Sequence, residues 1–178
     1  MHFDPIASVY RFCHACGERL VSRQLKPGDP ERPVCSGCGG VLFLDPKVAT
    51  GTIIALKDRR IVLVRRAIEP GYGRWVFPGG YVDRGEVVAA AAIREAREES
   101  GLDVRLEGLV SIYSYPERPP VIIVYAATAT GGTLAHDEES LELRTFSEAE
   151  VPWDELAFLS TREALRDYYA GVLHRHCR

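Results

Sequence analysis

The sequence predicts an α/β protein, a mixed sheet between helices, preceded by a small unit held together by cysteines. Three observations carry this. Two Cys-x2-Cys pairs lie ahead of the proline-marked junction Leu44-Asp45-Pro46-Lys47. Apolar, β-branched runs of strand length fall on both sides of one segment with helical periodicity. A second helical segment closes the chain, and helices on either side of strands can bury both faces of a mixed sheet.

The 178 residues allow one domain with a sizeable core plus a small appendage, read as residues 1–45 and 46–178. The composition is that of a soluble protein, 46% hydrophobic and 26% charged with a net charge of −3. The longest apolar runs are strand-sized, and no basic region followed by an apolar core opens the chain. The expectation is therefore a cytoplasmic protein without a membrane span. The mildly acidic balance argues against a dedicated nucleic-acid binder, which would carry a basic patch.

Residues 1–12 form a lead-in without periodicity. Cys13-x2-Cys16 and Cys35-x2-Cys38 follow, with 18 residues between the pairs. That is the spacing of a four-thiolate zinc site, with Gly17, Gly37 and Gly39 at the knuckles. So short a segment cannot bury a core, and a closed metal site would supply its folding energy. His14 sits inside the first knuckle as a bystander to a complete ligand shell.

Val48–Leu56 and Ile61–Val64 read as strands joined by a polar turn, and Trp75–Gly80 as a short strand entering a glycine turn. Asp83, with Glu86 three residues on, is a candidate N-cap for a helix ending at Gly101. That helix shows a second apolar face, Ala89, Ile93 and Ala96, predicting packing on two sides. Val104–Tyr113, Val121–Ala129 and Leu141–Phe146 read as strands. Ser160-Thr161-Arg162-Glu163 reads as a capping box opening a final helix to Tyr169. Cys177 falls in a tail.

The chemistry concentrates at the end of the first helix. Glu95, Glu98 and Glu99 stand at i, i+3 and i+4, on one face and near the negative end of the helix dipole. Like charges so spaced repel by a few tenths of a kcal/mol per pair, roughly. A cation among the oxygens reverses that sign, and hard oxygen ligands suit Mg²⁺ or Mn²⁺. The competing reading is a surface helix with solvated charges.

From Gly80 through Glu86 to Arg94-Glu95-Ala96-Arg97-Glu98-Glu99-Ser100-Gly101-Leu102, the chain resembles the Nudix box, G-x5-E-x7-R-E-U-x-E-E-x-G-U. Only Ala96, where a bulkier aliphatic is usual, departs from it. The resemblance implies the α/β/α Nudix sandwich and hydrolysis of a diphosphate by water on a divalent metal. It implies Glu95, Glu98, Glu99 and the Gly80 carbonyl as metal ligands, with Arg94 orienting a carboxylate and Glu86 as its structural partner. An acid outside the box often serves as base or extra ligand. Glu139 is preferred for that place over Glu142, against the alternative of a solvated loop.

With the cysteine pairs, Asp45-Pro46-Lys47, Glu139-Ser140-Leu141-Glu142 and Trp153-Asp154-Glu155-Leu156-Ala157-Phe158, the chain looks like the zinc-ribbon Nudix subfamily that includes plant chloroplast FAD and ADP-ribose pyrophosphatases. NADH pyrophosphatases share the ribbon but carry an SQPWPFPxS-type segment with no counterpart in residues 103–125; Pro116 stands near the place of a proline associated with ADP-ribose hydrolases. The implied substrate is FAD or ADP-ribose, cleaved to release AMP, and the implied assembly is a homodimer. An NADH or capped-RNA hydrolase and a non-catalytic, DNA-binding nucleotide sensor remain alternatives. Arg65 and Arg66 are candidates for holding phosphate oxygens, and Gly79-Gly80 let backbone approach a ligand. Tyr115, with Tyr72, Trp75 and Tyr113, is a candidate stacking partner for a base.

Overall fold

A computed structural model describes residues 10–116 and 118–174; most of the lead-in and Cys177 lie outside the described residues. The chain divides into two compact units between Asp45 and Pro46. In the first, β1 (Leu20–Gln24) and β2 (Glu31–Cys35) form an antiparallel hairpin, paired from Leu20↔Cys35 to Gln24↔Glu31. Cys13, Val34 and Cys35 are its buried apolar residues. So small a core cannot offset the chain entropy lost on ordering, and the thiols take its place. Cys13 and Cys38 sulfurs lie 3.8 Å apart, Cys16 and Cys35 sulfurs 3.4 Å, and all four fall within 4.8 Å of one another. A tetrahedral ion with zinc–sulfur bonds of about 2.3 Å would set its ligands roughly 3.8 Å apart. The Gly17 N–H closes the first knuckle on Cys13 O, and the Gly39 N–H closes the second on Cys35 O. The Cys38 N–H points at Cys35 Sγ and holds that thiol below its usual range, towards the thiolate a metal needs.

The second unit is built on seven strands, β3 (Val48–Ala55), β4 (Ile61–Arg66), β5 (Trp75–Val76), β6 (Gly79–Tyr81), β7 (Leu102–Tyr113), β8 (Val121–Gly132) and β9 (Ser140–Phe146). β3 runs parallel to β8 over Val48↔Val121 to Ala55↔Thr128, and β7 lies antiparallel beyond β8. On its other edge β3 pairs with β6 at Ala49–Gly51 and meets β4 at the single pair Ala55↔Ile61. β4 then carries β5 and β9, both antiparallel. The sheet is mixed, as the pattern of elements predicts.

Alternation along β3 and β4 shows why two helices are needed. Ile53, Ile61 and Leu63 pack in a core with Val110, Val124, Ala164 and Leu165. Their neighbours Ile54 and Val62 pack in a second core with Ala96 and Leu102. The first core is covered by α2 (Leu159–Tyr169) and the second by α1 (Val88–Ser100), which gives the α/β/α sandwich. The buried Thr52 hydroxyl donates to Ala92 O at 3.0 Å, tying α1 to β3. α1 ends where expected, at Gly101 with φ 71°, a left-handed cap that glycine adopts without strain.

Four local expectations need correction. Asp83 does not cap α1, which begins at Val88; residues 83–86 make a separate turn closed by the Glu86 N–H on Asp83 O. Ile93 is 42% exposed, so α1 buries Ala91, Ala92 and Ala96 on one side only. The Trp75–Gly80 strand is interrupted at Phe77-Pro78, since proline has no N–H for a ladder, and becomes β5 and β6. Ser160 is no N-cap: α2 starts at Leu159, and Glu163 is taken by the Tyr115 hydroxyl at 2.6 Å. The capping box lies instead at Ser147 and Glu150, on a single 3-10 turn (Glu148–Glu150).

The ribbon geometry predicts one tightly held zinc per chain. Cys35→Ser should abolish stoichiometric zinc on elemental analysis and expose the amides of residues 10–45 to hydrogen exchange. Exchange across 46–174 should stay as in the parent.

Candidate active site

Sequence-local geometry puts three glutamates on the last turns of α1, and Arg94 decides where they point. Its Nε and Nη2 donate to the two carboxylate oxygens of Glu86, both at 2.9 Å. Its Nη1 donates to Glu95 Oε1 at 2.8 Å and Glu98 Oε2 at 3.0 Å. One guanidinium thus binds the pre-helix turn to two helix acids, with the fork geometry that a lysine lacks. Paired this way, Glu86 has its pKa lowered to about 2, first by the Arg94 hydrogen bonds.

Glu99 points away from this cluster and accepts the Gly79 N–H at 2.7 Å. Gly80 lies flat against Glu95: a Cβ there would come 2.6 Å from Glu95 Oε1 and would push that carboxylate aside. Burial is the leading cause that raises the Glu95 pKa. It pushes Glu99 up to about 8, against the Gly79 N–H, which works to lower it; the neighbouring charges of Glu95 and Asp137 add to the rise.

These groups line one cavity of about 710 Å³. Glu95, Glu98 and Glu99 form part of its wall, with Gly79 and Gly80 from β6, Arg66 at the end of β4, and Glu139. The Ala67 N–H bonds Glu139 O at 2.7 Å, which fastens the loop before β9 to the end of β4 and brings Glu139 round to the helix acids. Tyr115 also lines the cavity, its hydroxyl committed to Glu163. Arg66 donates from Nε to Pro70 O and stacks over the Phe158 ring at 5.2 Å.

Arg65 does not join them. Successive strand residues face opposite ways, so Arg66 faces the cavity and Arg65 the far side. There Arg65 donates to Gly73 O and lies 3.8 Å from Glu142, its register partner on β9. Glu142, the second choice for an outside acid, falls away for the same reason. Trp75 is buried edge-on to Phe146, the Tyr113 hydroxyl is held by Asp167 at 2.7 Å, and Tyr72 lies outside the cavity wall; none of the three can stack on a ligand there.

Three charged lining groups escaped the sequence reading, the first being Glu69 in the loop after β4. Asp137 stands two residues before Glu139, in an acidic run where spacing alone does not say which side chains turn inward. Arg118 sits in a proline-rich loop without periodicity.

The wall therefore carries the carboxylates of Glu69, Glu95, Glu98, Glu99, Asp137 and Glu139 against the guanidiniums of Arg66 and Arg118. All the acids are hard oxygen donors, the chemistry of Mg²⁺ and Mn²⁺. Among the described residues, only the four cysteines bring ligand atoms within 4.8 Å of one another. The box acids share the cavity without yet converging, because Arg94 holds Glu95 and Glu98 while Glu99 turns to Gly79. Glu98, with 56% of its side chain exposed, has the freedom to swing.

Residues 45–171 match the family profile described as the NUDIX domain, and residues 11–43 match that of the zinc-ribbon segment described as Nudix N-terminal. The chain belongs to the Nudix family. It is a pyrophosphohydrolase with an N-terminal zinc ribbon.

An ADP-ribose pyrophosphatase of Methanocaldococcus jannaschii is 36% identical over 131 residues, 71% of this chain and 75% of that protein. An NAD-capped RNA hydrolase NudC of Stutzerimonas stutzeri is 26% identical over 90% of this chain; the match spans only 55% of that longer protein. A crystal structure of a NUDIX hydrolase from Nitrosomonas europaea superposes with a TM-score of 0.84 at 30% identity, over 94% of this chain and 97% of that one. Among the described residues, no helix is long and apolar enough to cross a membrane.

The buried carboxyl in the Nudix box predicts a pH signature. Glu99 has a folded pKa of about 8 against an ordinary 4.5. Below 4.5 the carboxyl is neutral folded and unfolded alike. Between 4.5 and 8 the unfolded chain releases its proton and the folded chain keeps it, so metal-free stability falls as pH rises. Glu99→Gln keeps the acceptor for the Gly79 N–H and removes that proton. Melting of EDTA-treated protein across this range should therefore show a shallower decline in the variant, with the variant ahead at pH 8.

Proposed function

We propose that the protein hydrolyses the diphosphate of a nucleoside diphosphate derivative, with ADP-ribose or FAD as substrate and AMP as a product. The observation that carries this is the charge of the cavity. Six acids, Glu99 among them holding its proton up to about pH 8, against two guanidiniums would repel a diphosphate, unless cations enter with it. The residues that would hold such a cation are Glu95, Glu98, Glu99 and the Gly80 carbonyl, with Glu98 released from Arg94. Bound there, Mg²⁺ or Mn²⁺ would acidify a coordinated water and neutralise charge on the phosphate oxygens.

The protein's own groups supply the rest. Arg94 orients Glu95 through the 2.8 Å hydrogen bond, works against the burial that raises its pKa, and is itself braced by Glu86. Arg66 and Arg118 are the cavity's cationic groups for the non-bridging phosphate oxygens. Glu139, anchored at its backbone to β4, accepts the proton of the attacking water as the new P–O bond forms and the bridging P–O bond breaks. ADP-ribose and water thereby yield AMP and ribose 5-phosphate; FAD and water yield AMP and FMN.

ADP-ribose is favoured by the name of the archaeal relative and by the 71% of this chain it matches. A second reading, hydrolysis of NADH or NAD-capped RNA, is favoured by one observation: the NudC match extends over 90% of this chain. The full set of box acids speaks against a non-catalytic sensor. A homodimer and a cytoplasmic setting accompany the proposal as family expectations.

The test is a panel of ADP-ribose, FAD, NADH and NAD-capped RNA with kcat/KM measured for each. ADP-ribose or FAD should lead; a tenfold lead for NADH or the capped RNA, about 1.4 kcal/mol, would transfer the assignment to the second reading. In the same assay Glu98→Gln should lower kcat by orders of magnitude and raise the metal concentration needed for half-maximal rate. Its metal-free melting temperature should stay close to the parent's, because Glu98 is largely exposed.

A further inference from the structure

One buried polar group in the cavity wall has no partner. Thr161 is 1% exposed and its hydroxyl makes no hydrogen bond to any described residue. Leaving such a group unpaired is unfavourable, because it has given up water without gaining a partner. Thr161 lies in the first turn of α2, where Leu159, Ser160 and Thr161 all line the cavity. The first N–H groups of a helix have no intrahelical acceptor, and no side chain caps α2: its N-cap is Phe158, and Glu163, which could have reached back, is held by Tyr115. Unused donors and an orphaned hydroxyl thus meet at one patch of the wall.

The surroundings of the patch restrict what could satisfy it. Ile122, Pro119, Phe158 and Leu159 are apolar, and the Arg66 guanidinium is stacked on the Phe158 ring. A phosphate would find N–H donors beside Arg66 but would leave the apolar faces of Ile122, Pro119 and Leu159 uncovered. A flat heteroaromatic ring can lay its faces on the apolar wall and turn a nitrogen-bearing edge to the helix. We propose that the N-terminus of α2 is the base subsite, where the Thr161 hydroxyl and the free N–H groups of the first turn read the edge of the adenine ring. This rests on the reading of the substrate as an AMP-releasing diphosphate, and it makes Thr161 a specificity-determining residue.

The experiment titrates the full-length protein, with Mg²⁺ present, with AMP and, separately, with ribose 5-phosphate, which carries a phosphate but no base. Thr161→Val removes only the hydroxyl; Thr161→Ser retains it. The valine variant should lose about tenfold in AMP affinity, the serine variant should stay within about twofold of the parent, and ribose 5-phosphate should bind all three alike. KM for ADP-ribose should rise in Thr161→Val with kcat little changed, and its metal-free melting temperature should equal or exceed the parent's, since an unpaired hydroxyl has gone. Unchanged AMP binding in Thr161→Val, or a parent that does not bind AMP, overturns the subsite. So does a parallel loss of ribose 5-phosphate, which would make the helix end an anion site. The substrate reading fails separately, if the parent releases AMP from neither ADP-ribose nor FAD.

Discussion

The Arg94 guanidinium is the interaction on which the candidate site depends. It is the group that offsets acids crowded at the wrong end of a helix dipole, and it does so by spanning from the 83–86 turn to the last turns of α1. Without it, Glu95 would be half-buried beside the repelling charges of Glu86 and Glu98, and Glu86 would keep only the Asp83 N–H. The pairing leaves the two remaining acids in different conditions. Glu98 is exposed and tethered; Glu99 is buried and held by one backbone N–H. A cation entering the cavity competes with Arg94 for the first and with a proton for the second, so metal binding, charge state and carboxylate position are aspects of one equilibrium.

The cavity separates two kinds of chemistry. Its acidic wall comes from α1, β6 and the loop before β9, where charge can be met by metal and phosphate. Its apolar wall comes from the 118–120 loop, β8 and the start of α2, where a ring can be buried. The division follows from the sandwich: α1 and α2 cover opposite faces, and the cavity reaches the end of one helix and the beginning of the other. A helix C-terminal segment repels an anion, while a helix N-terminus offers donors.

What could be read from the sequence was whatever short-range geometry dictates. The i, i+3, i+4 glutamates share a face in any α-helix, Cys-x2-Cys knuckles converge in any such ribbon, and Gly101 ends a helix for its own backbone reasons. What could not be read needed a second element. Arg65 and Arg66 are equivalent until it is known which face of β4 borders the cavity. Glu139 and Glu142 separate only because β9 begins at Ser140 and puts Glu142 in register with Arg65. Asp83 and Glu86 fit a cap by spacing, but Arg94 eight residues on claims the carboxylate. Ser160 to Glu163 fit a cap equally well, and Tyr115, far off in sequence, removes the acid.

β3 and β4 share a single register pair, Ala55↔Ile61, before β6 takes over the edge of β3. The helix acids ride on one side of that divide and Arg66 and Glu139 on the other. On the α1 face, the separation of the two groups is set by the volumes of side chains such as Ile54, Val62 and Leu102 rather than by a ladder of hydrogen bonds. Reach between the helix acids and the Arg66–Glu139 side is therefore adjustable by methylene groups in the interior.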